Sequence, residues 1–276
     1  IQKERHHSLP STTMEDTSKL NTSKLGTQKY WDDFYDREID NFSQDKNDLG
    51  ERWFDDSDAE FKMIELLMAE ASDPDTQITF SNSNTSTSNF IDLGTGNGHF
   101  LFELMLDEDF DENFVDNNRL LGCDYSAKSI ELAKNIQKEK FLDNESIQKQ
   151  LNFEVIDLFD EKSQFFNTVK NDKNEKFEVV TDKGTLDAIA LSGMTKFSES
   201  LEKEISLVDY YPHIIDNLLA QNGLFLITSC NFTQEELIRI IESTGNLKYY
   251  KNVNYPSIEF GGIKGSTICT VAFTTK

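Results

Sequence analysis

The chain has 276 residues, 37% of them hydrophobic, and its 50 acidic against 27 basic residues give a formal net charge of −23. That length suits one large domain or two small ones. A surface so negative repels phosphate backbones, which argues against a nucleic-acid substrate and for a basic macromolecular partner or plain solubility. The longest apolar blocks, such as 223–227, are too short to span a bilayer, and no charged-then-apolar leader opens the chain. Cys123, Cys230 and Cys269 lack metal-ligand spacing and read as reduced thiols of a cytoplasmic protein.

Residues 1–25 carry Ser, Thr, Asn and Lys with few apolar side chains and predict a disordered tail. Met14 is the expected native start, with 1–13 an extension whose His6 and His7 offer no metal site. Next comes Leu25-Gly26-Thr27, then Tyr30-Trp31-Asp32 and Phe34-Tyr35, aromatics at helical spacing. After the aromatic turn Gly50-Glu51-Arg52-Trp53-Phe54, Ser57 and Glu60 spell a capping box. Phe61, Ile64, Leu67 and Met68 then supply a helix with its apolar face up to Asp73-Pro74. Residues 26–75 thus read as an N-terminal helical segment and 76–276 as the main domain, entered through a Ser/Asn/Thr loop at 81–89.

Asn89-Phe90-Ile91-Asp92-Leu93 is a short strand running into Gly94-Thr95-Gly96-Asn97-Gly98 and a helix from Phe100. Alternate glycines predict a turn at positive φ whose backbone N–H groups face a ligand. His99 stands where a dinucleotide fingerprint needs its third glycine, and no Lys follows Gly98 as in a Walker A loop. Beyond an acidic insertion at 107–118, the pattern predicts a strand 119–124 ending in Asp124 and a helix from Ser126 to about Leu142. A third strand, 151–157, ends in Asp157 and is followed by a charged connection at 160–176.

A fourth strand, 177–181, meets Asp182-Lys183-Gly184-Thr185 and a helix start at Leu186. A long helix around 203–220, with Pro212 in its first turn or kinking it, leads to a fifth strand at 224–228. Thr233 and Glu236 spell a second capping box, for a helix at 234–243. Two strands about a glycine turn, 258–265 and 266–274, close the chain as an antiparallel edge. Strands alternating with helices mean parallel β-α-β units, whose ligands bind beyond the carboxyl ends of the strands. Asp124 lies 30 residues after Gly94 (124 − 94), further than the roughly 20 expected between such a loop and a ribose-binding acid; the insertion accounts for the excess.

Asp92-x-Gly94-x-Gly96-x-Gly98 resembles motif I of the Rossmann-like S-adenosylmethionine (AdoMet) methyltransferases. The strand order resembles their α/β class I fold, a seven-stranded, mostly parallel sheet with an antiparallel C-terminal edge hairpin and helices on both faces. The Leu25-to-Asp32 and Gly50-to-Phe54 blocks narrow the likeness, as do Asp182-Lys183-Gly184-Thr185-Leu186-Asp187-Ala188, Ile227-Thr228-Ser229-Cys230-Asn231 and Phe260-Gly261-Gly262. Together they resemble the eukaryotic protein-lysine methyltransferases, fungal form, that act on translation elongation factor 1A.

The resemblance implies AdoMet as methyl donor, S-adenosylhomocysteine as product and elongation factor 1A as protein substrate. It implies Asp92, Gly94, Thr95, Gly96 and Gly98 at the amino-acid end of AdoMet, Asp124 and Tyr125 at the ribose, and Asp157 and Leu158 at the adenine. Tyr30, Trp31 and Trp53 become a lid, and Asp182 and Asn231 face the acceptor. A monomer with no nucleic-acid or membrane partner is expected.

Methyl transfer to an amine is an in-line displacement that needs a neutral lysine nitrogen about 3 Å from the methyl. Free lysine has a pKa of about 10.4, so the amine must lose a proton, to the site or to water. Asp182 is expected to orient it and aromatic walls to desolvate it. Each acid also has a plainer reading, a strand-end carboxylate capping the next helix. The competing functions are small-molecule or arginine methylation on the same fold, a non-catalytic scaffold and, against His99, a nicotinamide dehydrogenase.

Overall fold

The computed structural model describes residues 21–80, 89–110, 119–198, 202–256, 258–260, 263–265 and 268–276. Residues 1–20 of the expected tail at 1–25, 81–88 of the Ser/Asn/Thr loop at 81–89 and 111–118 of the acidic insertion at 107–118 lie outside the described residues. The end of that tail is ordered, with Ser23 N–H donating to the Leu191 carbonyl (2.9 Å) and Lys24–Gly26 in a 3-10 turn.

In chain order the strands are β1 (Asn89–Leu93), β2 (Arg119–Asp124), β3 (Leu151–Val155), β4 (Phe177–Lys183), the hairpin β5 (Thr195–Ser198) and β6 (Lys203–Ser206), and β7 (Leu219–Ser229). Then follow β8 (Leu247–Val253), the ribbon β9 (Ile258–Phe260) and β10 (Ile263–Gly265), and β11 (Cys269–Thr275). Seven of them make one sheet in the order β3-β2-β1-β4-β7-β11-β8. The first five are parallel and β11 runs antiparallel to both its neighbours. The mostly parallel sheet with an antiparallel C-terminal edge is therefore present, but its outermost strand is β8, a stretch the sequence leaves unassigned. Past Leu247 its side chains are exposed or half-buried, which erases the alternation that marks a strand. Residues 258–265, expected as an edge strand, form their own ribbon.

Helices α1 (Gln28–Gln44), α2 (Ala59–Ser72), α3 (His99–Leu106), α4 (Ala127–Lys140), α5 (Glu145–Gln150), α6 (Gln164–Asn171), α7 (Thr185–Ser192), α8 (Leu207–Leu218) and α9 (Gln234–Ile241) complete the fold. The two-residue period of β7 sorts them into layers. Leu224 and Leu226 join a core with Met63 of α2, Phe102 of α3 and Ile130 of α4. Phe225 and Ile227 join one with Phe166 of α6, Leu186 of α7, Tyr211 of α8 and Leu237 of α9. Pro212 falls inside α8, which begins only at Leu207 because the β5–β6 hairpin precedes it. Among the described residues no helix is long and apolar enough to cross a membrane.

The box of Thr233 and Glu236 closes on α9 as expected. The box at α2 does not. Its N-cap, Asp58, sits at φ 52° without a side-chain hydrogen bond, and Glu60 turns toward α3 and β4. Met63, Ile64, Leu67 and Met68 are buried, whereas Phe61 is 67% exposed. At the other end of α2, buried Glu70 accepts from Thr76 Oγ1 (3.0 Å) and Tyr250 OH (2.7 Å) and pairs with Lys251. The helix thus links the strand ends to the sheet edge.

Candidate active site

At the carboxyl end of β1 the turn 92–98 enters α3. Gly94, Gly96 and Gly98 have φ of 64°, 59° and 78°, the left-handed values expected of them. Packing adds a second demand. A Cβ on Gly94 would lie 2.1 Å from Thr185 Oγ1, one on Gly96 2.7 Å from Tyr35 OH, and one on Gly98 2.6 Å from the Phe153 ring. The expectation of amides bared to a ligand fails for two of the three glycines. Gly96 N–H donates to Asp124 Oδ2 (3.2 Å) and Gly98 N–H to the Thr95 carbonyl (3.0 Å), because the loop ties itself to β2 and to its own backbone. Gly94 is the one exposed residue of the seven.

The strand-end acids differ in their surroundings. Asp92 is 3% exposed and its Oδ1 accepts from Thr181 Oγ1 at 2.7 Å; burial pushes its carboxyl up to about 6. The Thr95 hydroxyl is buried near that carboxyl but closes no hydrogen bond. Asp124 accepts from Ser126 N–H (2.9 Å) as well as Gly96, and burial pushes it too up to about 6. It is not the cap of α4. That cap is Ser126, whose Oγ accepts from Ser129 N–H and donates to Asp32 Oδ1 (2.6 Å) on α1. Tyr125 is half-buried, with its carbonyl accepting from Gln28 Nε2 (3.1 Å). Asp157 is exposed and holds Phe159 N–H in a tight turn, while Leu158 is buried in the core.

The second turn joins β4 to α7. Asp182 is fully buried: Oδ1 accepts from Thr185 N–H (2.7 Å), and Oδ2 from Leu186 N–H (3.1 Å) and Tyr211 OH (2.5 Å). Burial pushes its carboxyl up to about 7, against the pull of these donors. Three donors occupy most of its acceptor capacity, and none of the side chain is exposed. The plainer expectation is met: Asp182 caps α7 and also anchors Tyr211.

Asp187, five residues on, was given no task by the sequence reading although it stands in the same block. Its buried carboxylate accepts from Ser229 Oγ (2.5 Å), Cys230 N–H (2.9 Å) and Asn231 N–H (3.2 Å), which fixes the loop leaving β7. Asn231 is half-buried; its Nδ2 reaches the Asp187 carbonyl (3.4 Å), and its Oδ1 meets only the Cys230 thiol at 3.8 Å.

The N-terminal segment lies over both turns. Tyr35 OH stands against Gly96, and Asn97 Nδ2 donates to the Leu49 carbonyl (2.9 Å). The rings of Trp53 and Phe54 would each be 3.2 Å from a Cβ on Gly184. Trp53 lies 5.2 Å from Trp31, which is edge-on to Tyr30 at 5.1 Å and donates Nε1–H to the Leu25 carbonyl (2.7 Å). Of the predicted Tyr30, Trp31 and Trp53, Trp53 lies against the 182–185 turn, with Trp31 and then Tyr30 packed behind it. Sequence reasoning missed Glu60, His99 and Lys183, which meet at the same place: Glu60 is 2.7 Å from His99 Nδ1 and 3.4 Å from Lys183 Nζ.

The sequence profile of the family described as Methyltransferase domain matches residues 84–268. Protein-lysine N-methyltransferase EFM4 of Saccharomyces cerevisiae is 42% identical over 260 residues, 94% of this chain and 98% of the relative. EEF1A lysine methyltransferase 2 of Danio rerio is 31% identical over 248 residues, 90% of this chain and 86% of the relative. Among solved structures, a TehB-like SAM-dependent methyltransferase from Corynebacterium glutamicum aligns with a TM-score of 0.49 at 15% identity, over 90% of this chain and 100% of that one. The profile takes in both turns and all four strand-end acids, and the yeast relative extends the match through the N-terminal segment. The chain belongs to the methyltransferase-domain family whose profile it matches, alongside the yeast and Danio rerio relatives.

Proposed function

We propose that the protein is an AdoMet-dependent protein-lysine N-methyltransferase whose acceptor is a lysine of translation elongation factor 1A. The observation that carries this reading is the whole-length match: at 42% identity the yeast lysine methyltransferase spans 94% of this chain and 98% of itself, N-terminal segment included. The residues at the strand ends fit AdoMet. Thr95 offers a buried hydroxyl with no partner, Gly94 an open backbone, and Asp124 a carboxylate with only two N–H donors on its oxygens.

When bound, AdoMet supplies an electrophilic methyl group on a sulfonium. Asp92, Thr95 and the glycine turn hold its amino-acid end, Asp124 and Tyr125 its ribose, and Asp157 and Leu158 its adenine. Tyr30, Trp31 and Trp53 close over it and exclude water. Asn231 Oδ1, free of strong donors, accepts from the lysine amine and turns its lone pair toward the methyl. Asp182 acts one step back, by fixing the turn and α7, and the amine's proton leaves to water at the open mouth. The charge of −23 steers the enzyme to a basic partner, so association slows as salt rises. The protein works as a cytoplasmic monomer.

Incubation with labelled AdoMet and purified elongation factor 1A, followed by mapping of the modified residues by mass, tests the reading. Label on a lysine of the factor is expected. Label only on arginine or on a small molecule, or no transfer, contradicts it.

A further inference from the structure

Glu60 Oε2 accepts from His99 Nδ1 at 2.7 Å, and because a carboxylate can only accept, Nδ1 carries the proton. The other oxygen, Oε1, faces Lys183 Nζ at 3.4 Å. His99 is the first residue of α3, directly after Gly98, and Lys183 is the last of β4, directly after Asp182. Lys183 Nζ also donates to the Trp53 carbonyl (3.1 Å), so one ammonium grips the N-terminal segment at two points. The three side chains are only 14, 11 and 14% exposed. Burial alone pushes the Glu60 carboxyl up, but the His99 hydrogen bond and the Lys183 charge outweigh it and hold it below its usual range. Both Lys183 and Glu60 act on the charge of Asp92. The outer side of the cluster opens on a cleft of about 370 Å³ that Arg52, Phe61 and Glu103 help to line.

This placement has a local cost. Glu60 stands where it could complete a cap, yet α2 begins without a side-chain cap while its second residue reaches away. A buried ion pair adds little stability over an apolar replacement, and its better-attested use is to select one arrangement among several. The arrangement selected here is the N-terminal segment docked across the two turns.

We propose that Glu60 is a positioning residue for AdoMet: shared between His99 and Lys183, it clasps the N-terminal segment over the glycine turn. The proposal rests on the donor reading above. Its test is calorimetric titration of S-adenosylhomocysteine together with steady-state kinetics on wild type, Glu60→Gln and Glu60→Asp, each checked as folded at the assay temperature by its denaturation midpoint.

Glu60→Gln is expected to weaken product binding and raise KM for AdoMet by about tenfold, the loss of one charge-assisted contact. It leaves kcat within about twofold and KM for the protein acceptor unchanged, and Glu60→Asp recovers part of the affinity. Lys183→Met should add little on the Glu60→Gln background, since both break one clasp. If Glu60→Gln does not fold, Lys183→Met alone is read in its place and must show the same split. Product affinity equal to wild type, or a fall in kcat with KM for AdoMet unchanged, overturns the clasp. Failure of the wild type itself to bind the product overturns the donor reading and the clasp with it.

Discussion

The β1–α3 and β4–α7 turns stand side by side at one end of the sheet and share a plan: a buried acid, a glycine at positive φ, then a helix. Gly94 and Gly184 have φ of 64° and 87°, and Asp92 and Asp182 are 3% and 0% exposed. They differ in what closes them. Gly94 is pressed by Thr185, which itself donates to the Leu93 carbonyl (2.6 Å), so the first turn is sealed by the second. Gly184 is covered by Trp53 and Phe54, so the second turn is sealed by the N-terminal segment. The acids follow suit. Asp92 takes one hydroxyl donor, whereas Asp182 takes three donors and passes order on to α7 and Tyr211. Both turns also meet residues that lie before the 84–268 family match, Tyr35 and Leu49 at the first and Trp53 and Phe54 at the second.

Substituting each glycine sharpens the contrast most. Gly94→Ala meets both a strained φ and a Cβ only 2.1 Å from Thr185 Oγ1, and is expected to cost about 2–5 kcal/mol by urea denaturation. Gly184→Ala has aromatic carbons at 3.2 Å that can give way, and should cost about 1–2 kcal/mol. The reverse order would break the comparison.

Asp182→Asn comes next, at about 2–3 kcal/mol for a buried, charge-assisted network. Its pH dependence has a definite sign. The carboxyl is raised to about 7 when folded, against about 3.9 unfolded, so the folded state keeps a proton that the unfolded chain has released. That contribution is full below about pH 4 and is lost as pH rises through 7. The stability advantage of wild type over Asp182→Asn should therefore shrink between pH 5 and pH 8. An advantage that grew with pH would mean that the three donors outweigh burial.

Asp187→Asn probes the acceptor side. With the loop at 229–231 released, kcat is expected to fall by about ten- to hundredfold, while affinity for S-adenosylhomocysteine stays as in wild type. A matching loss of product affinity would place Asp187 on the donor side instead. The smallest effect belongs to Phe61→Ser, expected within about 0.5 kcal/mol because the ring is 67% exposed.

What could be read from the sequence follows the range of the forces involved. Strand β2 and the glycine turn were legible because an apolar run and a positive φ are local demands. The parallel direction of the first five strands of the sheet followed from alternation of strands and helices. Glu60 misled because Ser57-x-x-Glu60 is a local pattern, whereas its partners lie 39 and 123 residues away (99 − 60 and 183 − 60). Asp182 was placed correctly at a strand end, but one of its donors, Tyr211, arrives from 29 residues downstream. Phe61 fits the helical period as well as Met63 does, and only the packing of α2 on the sheet decides which is buried. Strand β8 was lost because an edge strand with charged, exposed side chains carries no alternation.

The central claim is that the 92–98 turn and Asp124 hold the methyl donor. Titrating S-adenosylhomocysteine into wild type and Asp124→Asn in a calorimeter tests it directly. The structure predicts one molecule bound per wild-type chain and about ten- to hundredfold weaker binding in the variant, the loss of charge at a carboxylate that keeps free lone pairs. No uptake by the wild type, or equal affinity in the two proteins, would contradict it.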